Sequence, residues 1–125
     1  MLTAMTTLDI GKKLVDLCKA GKNNEAVNQL YAKDIVSVEA GAPPGQSAET
    51  KGLGACIEKE KQWEAAHEVH GSTVDGPYPN GDRFAVVFDF DVTRRADKQR
   101  FHMKEVALYQ VKNDKIVRED FFYTM

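Results

Sequence analysis

A chain of 125 residues, 42% hydrophobic and 29% charged, has the size and composition of one globular unit around one core. Its net charge of −2 gives no electrostatic reason to bind nucleic acid or an anionic membrane surface. No apolar run approaches the ~20 residues that a membrane-spanning helix needs.

In chain order, residues 1–7 are small and polar and are expected to fray. A single domain over 1–125, with an ordered core of about 8–124, is expected. Residues 8–19 carry Ile10, Leu14, Leu17 and Cys18 at helical spacing, opposite Lys12, Lys13 and Asp16. Gly21 is placed to end that helix in a left-handed cap. Asn23 or Asn24 then caps a short second helix that buries Ala26, Val27, Leu30 and Tyr31.

A short strand over 35–39 runs into a loop containing Pro43, Pro44 and Gly45, which extends to about Thr50. Ser47 and Thr50 are candidate caps for a third helix, where Leu53, Cys56, Ile57, Glu60, Trp63 and His67 share one stripe. Glu58, Lys59, Lys61 and Gln62 form its solvated face. Both cysteines fall on apolar helix stripes and read as buried thiols rather than a disulfide or a nucleophile. With no basic start and apolar run of an export signal, a cytoplasmic protein in a reducing compartment is expected.

The remainder reads as four strands. A strand over 68–75 leads through the proline- and glycine-rich residues 76–81, expected to be a loop, into 83–95. There Phe84, Val86, Phe88, Phe90 and Val92 alternate with Ala85, Val87, Asp89, Asp91 and Thr93, the period of a half-buried strand. Arg94, Arg95, Lys98 and Arg100 make the longest basic cluster, at a solvated hairpin tip.

The last two strands meet at Asn113-Asp114, a pair that tolerates the positive φ of a two-residue hairpin. Regular pairing from that turn sets Tyr109 opposite Arg118, Ala107 opposite Asp120 and Glu105 opposite Phe122. One face then carries Met103, Glu105, Ala107, Tyr109, Val111, Ile116, Arg118, Asp120 and Phe122. Both faces are substantially apolar, so the sheet needs two covers: its own helices and a second copy of the chain. Helices in front of long antiparallel strands give an α+β class. Strands of roughly 11 residues twist strongly, and the sheet curls into an open cone, a natural small-molecule pocket.

The segments "Ala20-Gly21-Lys22 … Glu25-Ala26-Val27 … Leu30-Tyr31-Ala32-Lys33-Asp34-Ile35-Val36", Gly52, "Gly81-Asp82-Arg83-Phe84-Ala85-Val86" and "Asn113-Asp114-Lys115-Ile116-Val117-Arg118-Glu119" resemble the nuclear transport factor 2-like superfamily. Within it the chain is most similar to the SnoaL-like polyketide cyclase group. The resemblance covers about 8–123. It implies a cone-shaped barrel, a strongly curved antiparallel or mixed sheet wrapped around three N-terminal helices, dimerised through the outer sheet face. It says little about chemistry, because one fold hosts isomerases, cyclases, dehydratases and non-catalytic binders.

By similarity to the ketosteroid isomerases of this superfamily, Glu39 stands where their aspartate base lies. Leu14 stands where their oxyanion-holding tyrosine lies, and their protonated aspartate falls near Ala107, two residues from Glu105. The isomerase triad is therefore broken.

Glu39, Glu105 and Asp120 are the carboxylates expected at the pocket, with His70 as a donor or orienting group. Arg118 beside Asp120 allows a structural ion pair instead. Trp63, Phe88, Tyr109 and Phe122 either line an aromatic cavity or pack as core. His67-Glu68-Val69-His70 does not suit a metal: on a strand, residues three apart point to opposite faces. The expectation is a small organic ligand, no cofactor, no metal, and acid–base chemistry of the cyclase, isomerase or dehydratase type. Glu39 would be the base and Glu105 or Asp120 the proton donor. The alternative is a non-catalytic ligand-binding or dimeric interaction module.

Overall fold

Thr6 opens the first helix: its hydroxyl accepts from the Asp9 amide at 3.1 Å, and the Asp9 carboxylate accepts from the Thr6 amide. That capping box starts α1 (Thr7–Lys19) earlier than the expected fraying allows. A computed structural model of the chain describes residues 5–124; the first four residues of the segment expected to fray lie outside them.

The elements that follow are α2 (Asn23–Leu30), β1 (Tyr31–Val38), β2 (Glu49–Lys51), α3 (Leu53–Ala66), β3 (His67–Asn80), β4 (Arg83–Arg94), β5 (Gln99–Lys112) and β6 (Lys115–Phe122). The sheet order is β2-β1-β6-β5-β4-β3, with β1 and β6 parallel and the other neighbours antiparallel. The class is α+β, a curved, unclosed mixed sheet with three helices. Among the described residues no helix is long and apolar enough to cross a membrane.

The alternation of β4 appears as read: Phe84, Val86, Phe88 and Val92 are buried, facing the helices. Phe84, Val86 and Phe88 join Ile10, Leu14, Leu30, Ile35, Tyr109 and Ile116 in one core cluster. Gly11 lets α1 lie close on β3, since a Cβ there would stand 2.8 Å from the Pro77 Cβ. Asn113 and Asp114 take φ of 52° and 63°, as the tight hairpin requires.

Several local expectations are corrected. Lys22, not Asn23 or Asn24, precedes α2, and Tyr31 begins β1 rather than completing the helix stripe. Gly52, at φ 94°, precedes α3; Ser47 instead accepts from the Glu49 amide, and Thr50 lies in β2. Residues 76–81 are not an open loop. β3 continues through 76–80 as an edge strand, with a register shift between Asp75 and Tyr78 that accommodates Pro77, and only Gly81 of this stretch lies in the turn.

The β5–β6 pairing has the largest consequence. Val111 faces Ile116 as expected, but Gln110 faces Arg118 and Tyr109 faces Glu119. Val117 is thus an extra residue on β6, a β-bulge, and beyond it every side chain changes face. The expected pairs of Tyr109 with Arg118, Ala107 with Asp120 and Glu105 with Phe122 do not form. Arg118, Asp120 and Phe122 point to the convex side, and Glu119 and Phe121 point inward.

Candidate functional site

The concave face of the sheet and the three helices enclose a cavity of about 380 Å³. The strand pair β4–β5 supplies one wall, with Phe88 opposite Glu105 and Phe90 opposite Met103. α3 supplies another. Cys56, Lys59, Glu60 and Trp63 recur at intervals of three and four, so all four face inward. Trp63 and Phe90 have ring centroids 5.6 Å apart, and Phe88 stacks on Phe90 at 5.7 Å. These rings form a continuous aromatic surface.

A chain of polar contacts runs along the opposite side. Ser37 and Glu119 are direct partners on the parallel strands β1 and β6. The Ser37 hydroxyl donates to Glu119 Oε1 at 2.7 Å, and the Tyr31 hydroxyl donates to Glu119 Oε2. Lys59 Nζ donates to Ser37 at 2.6 Å and to Glu39 at 2.9 Å. Tyr123 completes the chain by donating to the other Glu39 oxygen at 2.8 Å. An ammonium carries three N–H donors, so Lys59 keeps one for a guest. Its nitrogen also lies 5.5 Å from the centre of the Phe121 ring.

Burial governs the titration of the remaining acids. It pushes the Glu105 carboxyl up to about 7, reinforced by the charges of Glu39, Glu119 and Glu60 and opposed by Lys59. Glu60 is pushed up to about 7 as well, again mainly by burial and then by Glu64. Glu119 is raised by burial against the lowering effect of its Tyr31 and Ser37 donors. Burial also raises the thiol of Cys18 to about 12 and lifts that of Cys56, so neither is a thiolate nucleophile at neutral pH. Neither Glu105, Glu60 nor the Tyr109 hydroxyl has a side-chain hydrogen bond to a described residue, and all three face the cavity.

Among the residues singled out from the sequence, Glu39, Glu105, Trp63, Phe88 and Tyr109 meet at this cavity. Four do not. Asp120 and Arg118 pair with each other at 2.9 Å on the convex side, because the Val117 bulge turns them outward. Phe122 is turned outward by the same bulge and is 56% exposed. His70 is exposed and bonds to Thr93 at 2.7 Å across the β3–β4 edge.

Glu119, Lys59, Tyr31, Ser37 and Tyr123 were missed. For Lys59 a signal existed, since it lies three residues after Cys56 on the inward stripe. Glu119 and Tyr123 required the bulge to be known. Among the described residues no group of three or more His, Cys, Asp or Glu side chains is placed to hold a metal ion.

Comparison with known proteins places this geometry in a family. A family model described as a SnoaL-like domain matches residues 5–123. A solved structure from Mesorhizobium loti, named a candidate SnoaL-like polyketide cyclase with carbohydrate phosphatase in brackets, is 46% identical. It superposes with a TM-score of 0.90 over 95% of this chain and 100% of its own. A protein with a cystatin-like fold from Xanthomonas campestris (17% identity, TM-score 0.78, 97% of this chain and 92% of that one) shares the architecture. So does a candidate polyketide cyclase from Pseudomonas putida (16% identity, TM-score 0.71, 97% and 93%). No curated protein matches the sequence. The match of the family model over nearly the whole chain, with the close structural relative beside it, shows that this chain belongs to the SnoaL-like family.

Proposed function

We propose that the cavity binds a small organic molecule and performs cofactor-independent acid–base chemistry on it, of the isomerase, cyclase or dehydratase type. One observation carries the reading: the Glu105 carboxyl, unbonded to any described residue, opens into an apolar cavity that also holds the Lys59 ammonium. A carboxyl titrating near neutral pH gives and accepts protons with comparable ease, which is what a general acid–base group needs. The base role that the family resemblance gives to Glu39 passes here to Glu105. Glu39 accepts from Lys59 and Tyr123 and fixes the polar end of the site.

In this reading the third N–H of Lys59 holds a carbonyl oxygen of the substrate. Ionised Glu105 removes a proton from the neighbouring carbon, and the C–H electron pair moves into the carbon–carbon bond as the oxygen gains enolate charge beside Lys59. Glu105 then returns its proton, to carbon in an isomerisation or to a departing hydroxyl in a dehydration. Desolvation strengthens the Lys59 contact as negative charge develops.

The test is a screen of small carbonyl compounds by thermal shift, followed by mass analysis of each hit after incubation with wild type and Glu105→Gln. Loss of turnover by roughly 10²- to 10⁴-fold in the variant, with ligand still bound at saturating concentration and a melting temperature no lower than that of wild type, is the expected result. Turnover by Glu105→Gln at the wild-type rate would exclude Glu105 as the proton carrier. Recovery of every ligand unchanged by wild type would favour a non-catalytic binding protein.

A further inference from the structure

Outside the Lys59–Glu39 contact, the cavity has acceptors and π-faces but few cations. Lys59 is the only Lys or Arg among the described residues lining it, and two of its donors are already engaged. Against it stand Glu39, Glu60, Glu105 and Glu119. Glu119 is bonded to Tyr31 and Ser37, and Glu39 to Lys59 and Tyr123, which leaves Glu60 and Glu105 unpartnered. An independent feature points to a guest. Tyr109 is only 2% exposed, lines the cavity, and has no hydrogen-bond partner for its hydroxyl among the described residues. Among the described residues no fully buried side-chain polar atom lacks a partner, so this hydroxyl is reached from the cavity and is free to bond to whatever occupies it.

The same space is bounded by the Trp63–Phe90–Phe88 surface. Aromatic faces attract cations, most strongly when water is excluded. The protein already displays this arrangement once in covalent form: the Lys59 ammonium sits against the Glu39 carboxylate and over the Phe121 ring. Glu60 and Glu105 line the same cavity as Trp63, Phe88 and Phe90, with Phe88 directly opposite Glu105, so carboxyl and π-face stand together there as well. An anionic guest would meet only like charge there, and a guest without donors would leave the ionised carboxyls without a complement.

We infer that the ligand of this cavity carries a positively charged nitrogen, an organic ammonium seated between the aromatic surface and the Glu60 and Glu105 carboxyls. The inference rests on the acid–base reading of the same site and narrows its substrate to amine-bearing compounds. The charged or titratable groups facing the two carboxyls are Glu39, Glu119 and Lys59, with Glu64 beside Glu60. The Tyr31 and Tyr109 phenols and the Cys18 thiol, all raised by burial, stay neutral. A bound ammonium therefore favours ionisation of Glu60 and Glu105, and protons leave as the ligand enters.

Choline and 3,3-dimethylbutan-1-ol have nearly the same shape and differ in charge, so they separate the cation from the fit. Titration calorimetry is expected to show choline binding at least tenfold more tightly, with an observed enthalpy that varies with buffer ionisation enthalpy because protons are released. Glu60→Gln and Glu105→Gln should each move the affinity ratio toward one, and Trp63→Leu should lower it as well. The ratio is insensitive to partial unfolding of a variant, because both ligands report on the same folded fraction. Equal or tighter binding of the alcohol overturns the ammonium assignment while leaving acid–base chemistry in place. Failure of both compounds to bind at millimolar concentration overturns it too. The acid–base reading falls separately, on the turnover of Glu105→Gln.

Discussion

The two faces of the sheet hold carboxylates in opposite company. On the convex face Asp91 accepts from Arg100 at 3.0 and 2.9 Å, Asp89 pairs with His102 at 2.9 Å, and Asp120 pairs with Arg118. At the β4–β5 turn Asp97 is gripped by Arg94. Guanidinium hydrogen bonds hold Asp91 and Asp97 below the usual carboxylate range. On the concave face burial pushes Glu60, Glu105 and Glu119 the other way. Phe88 and Asp89 are neighbours on β4, yet the first faces Glu105 across the ladder and the second faces Lys104. A single step along a strand therefore separates a carboxylate environment that fixes charge from one that makes charge negotiable.

The contrast can be broken at several strengths. The largest effect is expected for Glu119→Ala, which leaves Tyr31 and Ser37 without their buried acceptor. Urea unfolding should show a loss of about 3 kcal/mol. Little change would mean that the inner network relaxes onto water.

Next is the pH dependence. Glu60 and Glu105 have folded pKa values raised from 4.5 to about 7, so their contribution to stability is full below about 4.5 and is lost as pH rises through about 7. Allowing for residual solvent access, the loss is about 2 kcal/mol for each group. Glu105→Gln should remove one share of that slope and be more stable than wild type at pH 8. Asp91 and Asp97 act with the opposite sign, contributing above the unfolded carboxylate pKa of 3.8 and losing that as pH falls. A stability curve that is flat between pH 4.5 and 7 in wild type would contradict the raised inner pair.

A smaller effect tests the seat of α1 over the cavity. Gly11→Ala sets a methyl 2.8 Å from Pro77 and 3.2 Å from Phe84. The expected cost is about 1 kcal/mol in unfolding free energy, as for modest overpacking. The smallest effect is expected outside. Arg100→Gln breaks the exposed pair with Asp91 and should leave the thermal midpoint nearly unchanged. A midpoint shift as large as that of Glu119→Ala would erase the distinction between the faces.

Much of the architecture was legible because it follows from local pattern. The alternation of 83–95 shows which side of β4 is buried, and Asn113-Asp114 announces the hairpin through residues that tolerate positive φ. Glu105, Trp63, Phe88 and Tyr109 were legible for the same reason, lying on strands or stripes whose phase is set by many residues.

Phase also explains what was lost. Val117 is a β-branched residue with no local sign that it is unpaired, and its bulge exchanges Glu119 for Asp120 at the cavity. Such a bulge is a property of two strands together, set where the parallel β1–β6 pairing meets the antiparallel β5–β6 pairing. Pro77 misled in the opposite direction: a proline ends a central strand but is tolerated at an irregularity on an edge. Lys59 was hidden by its charge. Its place three residues after Cys56 put it on the inward stripe, but only its partners, Glu39 and Ser37, show why a charge is tolerated there.

The claim on which the rest stands is that Glu105 exchanges its proton near neutral pH. Carbon-13 NMR of the side-chain carboxyls, assigned by comparison with Glu105→Gln, measures this directly. The Glu105 resonance should titrate with a midpoint near 7, while that of Asp91 moves only below the normal carboxylate range. A Glu105 midpoint at 4.5, the value of an ordinary solvated glutamate, would contradict it.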